Sequence, residues 1–212
     1  MEEKRITVSL PCYLRPERTK RAIQCILDQD MNNWEAFIMG DNCPHFQKLI
    51  DSGYMEEIKQ SEALKGNLIH YFNAEVNGGG WGHALTNYAI QHAIGKYFIF
   101  FDNDDVILPN HFSHYLSEIE NTEYSLVYYN SLLAPLKGVR KTIFQISCIG
   151  HCDVIVKTDV AKAAPPHDAT YNHDINFITA CAKDRKVKKA VSKDATYNVM
   201  RLGSHPIIET ID

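Results

Sequence analysis

The sequence predicts an α/β fold with a mixed central sheet flanked by helices, and three observations carry that expectation. Apolar runs rich in β-branched and aromatic residues alternate with helix-spaced runs through the first half of the chain. Those runs are apolar on both faces, as strands of a buried, largely parallel sheet must be. The fourth run, Tyr97–Phe101, then stops at three acids, Asp102, Asp104 and Asp105. In such sheets ligands bind beyond the carboxyl ends of the strands.

Taken in order, "RITVSL" (5–10) is the first strand. Pro16 stands where a first helical residue belongs, with its φ already set, and Ala22, Ile23, Ile26 and Leu27 follow at helical spacing. "WEAFIMG" (34–40) is the second strand and ends at Asp41. A helical segment leads to "NLIHYF" (67–72), the third. "NAEVNGGGWG" (73–82) is a loop with four glycines between 78 and 82. A helix opens near His83, and Gly95 is placed to end it. The second half is less regular. "HFSHYLSEIE" (111–120) is a helix and "EYSLVYYN" (123–130) a strand. "CDVIVKTD" (152–159) is a strand running into a small helix, and "APPHDATYN" (164–172) is a loop. "HDINFITACAKD" (173–184) is a helix with Ile175, Ile178 and Ala182 on one stripe. "KVKKAV" (186–191) and "ATYNVMRL" (195–202) are late strands.

Composition narrows the function. At 212 residues, 45% of them hydrophobic, the chain suits one compact domain with a full core. The net charge of -4 and the lack of a long basic run argue against a nucleic-acid partner. The basic run 183–189 reads as a solvated edge. No apolar run reaches the ~20 residues a membrane span needs, and the start has no signal-peptide core. The six cysteines sit scattered in apolar segments, as reduced thiols of a cytoplasmic protein would. The ten histidines form no H-E-x-x-H or H-x-x-x-H pair, so most of them read as ordinary surface or core residues.

Two aspartates two apart at a strand tip repel unless a cation stands between them. Carboxylate oxygens suit hard ions such as Mn²⁺ or Mg²⁺, which can bridge a diphosphate and neutralise a departing phosphate. The competing reading of "DNDD" is a turn that caps the helix starting near Pro109.

Several segments together resemble the inverting glycosyltransferases of GT-A fold, the family-2-like group that uses nucleotide-diphospho sugars. "ITVSLPCYLRPERTKRAIQCILDQ" is similar to that group's first strand and helix, and "WEAFIMGDN" to its second strand with a uracil-reading aspartate. "NGGGWGHALTNYAIQHAIGKYFIFFDNDD" resembles the stretch ending in its D-x-D motif. "HDINF" resembles its acceptor-side acidic motif, and "RLGSH" its late arginine-to-histidine segment. A short version without membrane helices is also similar to capsid-glycosylation enzymes of large viruses, chlorella viruses among them.

The resemblance implies a single GT-A domain over 1–212, with 1–105 the nucleotide-binding half and 106–212 the acceptor-binding half. It implies that Pro11 and Tyr13 line the base and ribose, that Arg15 approaches the diphosphate, and that Asp41 accepts from the uracil N3–H. Gly79 and Gly80 would let backbone approach the nucleotide. Asp102 and Asn103 would contact the donor, Asp102 through ribose or metal, while Asp104 and His205 would hold Mn²⁺ or Mg²⁺. Asp174 would be the general base. The partners implied are a UDP-sugar donor and a glycan or glycoprotein acceptor. This chain departs from the pattern in reading His173-Asp174 where Glu-Asp is usual, which leaves Asp168 as a rival base. It also carries Trp81 and His83 where many relatives have a basic residue, and His205 lies two residues late. Alternative functions are a nucleotidyltransferase and a non-catalytic UDP-sugar-binding domain of the same fold.

Overall fold

The structure is a computed structural model that describes residues 5–79, 82–134, 138–145, 148–170, 172–190 and 195–200. Strands β1 (Ile6–Cys12), β2 (Trp34–Gly40), β3 (Leu68–Asn73) and β4 (Tyr97–Phe100) are mutually parallel, with β1 between β2 and β4. Strands β6 (Leu126–Tyr128), β9 (Val154–Lys157) and β10 (Val187–Lys189) extend the sheet, in the order β10-β6-β9-β4-β1-β2-β3. β9 runs antiparallel to both β4 and β6, so the sheet is mixed, as predicted. The basic run forms part of edge strand β10, where Lys188 bonds Glu118.

Alternation along the strands divides the core by face. Ile6, Val8, Leu10, Ala36, Ile38 and Ile99 join α1 (Pro16–Leu27), α2 (Pro44–Asp51) and α5 (His111–Ile119). Phe37, Met39, Phe98, Phe100 and Val156 join α4 (His83–His92), α6 (Thr158–Ala163) and α7 (His173–Ala182). A further helix, α3 (Tyr54–Gln60), follows α2. On α7 the buried stripe is Ile175, Ile178 and Cys181, one step off the predicted Ala182.

Gly95 does not end α4, which stops at His92 with Ala93 as its cap. A Cβ on Gly95 would meet Ile6 C and Thr7 N at 2.5 Å, so glycine is needed there because two backbones touch. Beside it, the buried Glu35 carboxylate accepts from Thr7 Oγ1 at 2.5 Å and from the Ile94 and Gly95 amides at 2.6 and 3.1 Å. That carboxylate ties β1, β2 and the entry to β4 together.

A second, four-stranded sheet was not predicted. It runs β5 (Val106–Ile107), β11 (Tyr197–Met200), β7 (Ser131–Ala134), β8 (Gly138–Arg140), and it packs β11 under the acids that follow β4.

Candidate active site

A cleft of about 750 Å³ opens at the carboxyl ends of β1, β2 and β4. This is where β1 sends one crossover to β2 and has β4 on its other side, the switch point at which such sheets bind ligands. Pro11, Tyr13, Arg15, Asp41, Gly79, Asp102, Asn103, Asp104 and Asp174 all line it. Gly80 and His205 lie outside the described residues.

β1 ends in an unusual turn. Leu14 and Arg15 both have φ 52°, a left-handed conformation that costs a side-chain-bearing residue energy. The turn aims the Arg15 guanidinium at Asp104, with which it forms an ion pair. Asp41, directly after β2, is buried and accepts the Gly78 amide on Oδ1 at 2.7 Å. Its main-chain carbonyl accepts from Asn77 Nδ2 at 2.8 Å, which ties the glycine loop to β2. Gly79 has φ 65° and open space at its Cβ position.

Of the four residues in "DNDD", Asp102 and Asp104 face the cleft, with side chains 38% and 32% exposed. Asn103 lines the cleft, but its amide is committed to Thr19 Oγ1 at 3.0 Å, so it braces the turn against α1. Asp105 is buried and accepts the Tyr197 hydroxyl at 2.8 Å, while that hydroxyl accepts the Asp102 amide at 3.2 Å. Tyr197, on β11, thus fixes the turn from below. Burial and then the Asp105 charge push its phenol well above its usual value, so it remains a donor. Asp102 and Asp104 are oxygen donors on one cleft wall, a set that fits Mn²⁺ or Mg²⁺. Asp102, Asp105 and the Cys152 sulfur also converge, but Asp105 is engaged by Tyr197 and a thiol is a soft ligand for such ions.

The opposite side is built by α7 and by a 3-10 turn, His151–Asp153, that leads into β9. His151 is the residue the sequence reading missed. It is stacked on Phe100 with ring centroids 5.0 Å apart. Its Nε2 lies 3.3 Å from Asp102 Oδ1, and its Nδ1 lies 2.8 Å from Asp174 Oδ1. One imidazole therefore spans from the acids after β4 to the acid that opens α7. Burial alone would lower the His151 pKa, but Asp174 and then Asp102 outweigh it and hold the ring well above 6.5, as an imidazolium at neutral pH. For Asp174, burial works upward, and the His151 charge with its hydrogen bond overcomes that and depresses the carboxyl strongly. Asp168, the rival base, is exposed, bonded to Thr170 and Asn176, and outside the cleft lining. His167 and His173 pack beside His151, each with its pKa lowered chiefly by burial, His167 to about 3.

With this geometry in hand, the chain belongs to glycosyl transferase family 2, whose family model matches residues 7–147. Its fold is that of the GT-A glycosyltransferases. The structure of S. aureus TarS 1-349 in complex with UDP-GlcNAc superposes with a TM-score of 0.74 at 15% identity, over 95% of this chain and 60% of that one. The mannosyltransferase PcManGT from Pyrobaculum calidifontis, in complex with GDP-Man and Mn²⁺, gives 0.71 at 14% identity, over 94% of this chain and 57% of that one. Among curated proteins, the putative colanic acid biosynthesis glycosyl transferase WcaA of Escherichia coli (strain K12) is 34% identical over 113 residues, 53% of this chain and 37% of WcaA. An uncharacterized glycosyltransferase of Methanocaldococcus jannaschii is 26% identical over 179 residues, 76% of this chain and 59% of that protein. The chain thus spans between 37% and 60% of the length of these relatives, less than two thirds of each. Among the described residues, no helix is long and apolar enough to cross a membrane.

Proposed function

We propose that this chain is a metal-dependent inverting glycosyltransferase domain that moves a sugar from a UDP-sugar to a hydroxyl of a glycan or glycoprotein. The observation that carries the reading is that one cleft at the sheet's switch point is lined by Asp41, Asp102, Asp104 and Asp174. Residues 1–105 hold the donor in this reading, and 106–212 meet the acceptor. The relatives named above are bacterial and archaeal, so the viral resemblance adds no acceptor. Family membership sets the nucleotidyltransferase alternative aside.

Asp41 accepts the uracil N3–H, a bond that a purine does not offer in the same place, and the Gly78 amide keeps the carboxylate in position. Pro11 and Tyr13 flank base and ribose, and Gly79 lets backbone close on the nucleotide. Mn²⁺ or Mg²⁺, held by Asp102 and Asp104, would neutralise the charge that builds on the departing diphosphate. Arg15 exchanges its pair with Asp104 for the diphosphate. Asp174 takes the acceptor hydroxyl's proton as that oxygen attacks the anomeric carbon from the face opposite UDP. The bond from that carbon to the diphosphate breaks, its electron pair leaves with UDP, and configuration inverts in one displacement. His151 keeps Asp174 ionised and aimed. Because the same charge makes Asp174 a weak base, proton transfer falls late, when the attacking oxygen has become acidic.

The test is calorimetric titration of UDP and GDP with and without Mn²⁺. Wild-type protein should bind UDP more tightly than GDP and only with the metal, while Asp104→Ala should lose the metal-dependent heat. Equal heats in the variant, or metal-independent binding, would refute the assignment.

A further inference from the structure

We propose that His151, His167, His173 and Asp174 form a second metal site, for a zinc-class divalent ion, distinct from the aspartates after β4. One ligand atom from each of the four converges, all within 4.8 Å of one another. The three imidazole rings form a near-equilateral triangle, with centroids 6.0, 5.9 and 5.7 Å apart. Zinc–nitrogen bonds of about 2.0–2.1 Å in a tetrahedral site would place three ring centroids about 5 Å apart, so a contraction of under an ångström closes the shell. All three histidines are more than nine-tenths buried.

The orientation of His167 is the second, independent observation. Asn87 Oδ1 accepts the His167 main-chain amide at 2.8 Å, which fixes it as the oxygen end of that side chain. The same oxygen lies 3.2 Å from His167 Nδ1, and Asn87 Nδ2 donates to the His167 carbonyl at 2.9 Å. An acceptor at Nδ1 puts the proton there and leaves a lone pair on Nε2. Among the described residues, that buried Nε2 has no hydrogen-bond partner. A ring clamped through one nitrogen with the other bare is how proteins present histidine to a metal. Phe177 stacks on His167 at 4.0 Å and Phe100 on His151, so two of the rings are held by packing.

Three imidazoles and one carboxylate select borderline ions such as Zn²⁺ or Co²⁺ over Mn²⁺ or Mg²⁺. The site opens to the cleft through His151, His173 and Asp174. Loading it displaces a proton from the His151 imidazolium and converts Asp174 into a ligand, so the ion acts as a brake on any chemistry that Asp174 performs. The site itself does not depend on that chemistry.

The experiment uses Co²⁺ as a visible probe, by equilibrium dialysis and absorption of the whole chain, with Mn²⁺ and UDP in excess to occupy the other acids. One equivalent of Co²⁺ with the strong ligand-field bands of a low-coordinate nitrogen-rich site is expected. His167→Ala should lose both the equivalent and the bands while keeping its circular dichroism and its UDP–Mn²⁺ heat. Should that variant fail to fold, X-ray absorption of the zinc-loaded wild type decides, with an imidazole-rich shell expected. No bound cobalt, bands unchanged in His167→Ala, or an oxygen-only shell would overturn the site. None of these results touches UDP binding, so the donor reading stands or falls separately.

Discussion

At the residue scale, the cleft is organised by one unpredicted imidazolium between two predicted acids. His151 draws on Asp102 and Asp174 at once, so a change at either end is felt at the other. Asp174→Asn should keep UDP affinity within a few-fold, because the proposed mechanism gives its side chain no part in holding the nucleotide. Transfer should fall by about 10²–10⁴-fold, the usual worth of a positioned base. Near-normal turnover of a UDP-sugar would move the base elsewhere, and Asp168→Asn, expected to be silent, is the control. Below the acids, Tyr197 satisfies buried Asp105 and the Asp102 amide together. Tyr197→Phe removes the hydroxyl that both use. A loss of about 1–3 kcal/mol in chemical denaturation is expected, with weaker metal-dependent UDP binding as the turn loosens. The acids were legible because they end a run of aromatic residues. Their partners were not, because His151 lies in an irregular segment and Tyr197 lies 92 positions beyond Asp105. The one sequence hint of the histidine cluster is the five-residue gap between His167 and His173, a spacing that metal sites use.

At the element scale, strands β1 to β4 were legible for a physical reason. β1, β2 and β4 are buried on both faces and edge strand β3 partly so, and each apolar run stands out against the helix-spaced segments between. The second sheet was not, because β5, β7, β8 and β11 have two to four residues each, and β11, read only as a late strand, joins β5 and β7 across long sequence gaps. A run that short carries no period to read. Gly95 shows the same limit: a glycine after a helix suggests a cap, and only the fold reveals two backbones in contact. Glu35 next to it sets a pH dependence. Burial raises its pKa, but His70, Thr7 and the Ile94 and Gly95 amides together outweigh that, so the folded value lies below the ordinary 4.5. A depressed carboxyl contributes stability that is fully present above its unfolded pKa and is lost as pH falls through the folded one. In Glu35→Gln that contribution is absent. The stability gap between wild type and variant, measured in urea, should therefore be widest above about pH 5 and shrink as the solution is acidified below it. A gap that does not change with pH would refute the role given to this carboxylate.

At the scale of the whole molecule, the cleft is a joint between parts that the sequence separates widely. One side of the cleft draws on β1, β2 and β4, and the far side on the 3-10 turn before β9 and on α7. These parts meet only when β9 inserts antiparallel beside β4, a pairing between residues 97–99 and 155–157. Folding and site assembly are thus one event, and a ligand that binds only the assembled cleft must stabilise the entire domain. Linkage gives the size: at a hundred times Kd, a ligand specific for the native state contributes about 2.7 kcal/mol. For a domain of about 200 residues this corresponds to a rise in Tm of about 5–10 °C. UDP with Mn²⁺ should produce such a rise, GDP with Mn²⁺ a smaller one, and UDP with excess EDTA almost none. Asp104→Ala should respond to UDP with Mn²⁺ as wild type does under EDTA. A full shift with UDP in EDTA would mean that the nucleotide is held without a cation at Asp102 and Asp104. Equal shifts for UDP and GDP would remove Asp41 as the reader of the base.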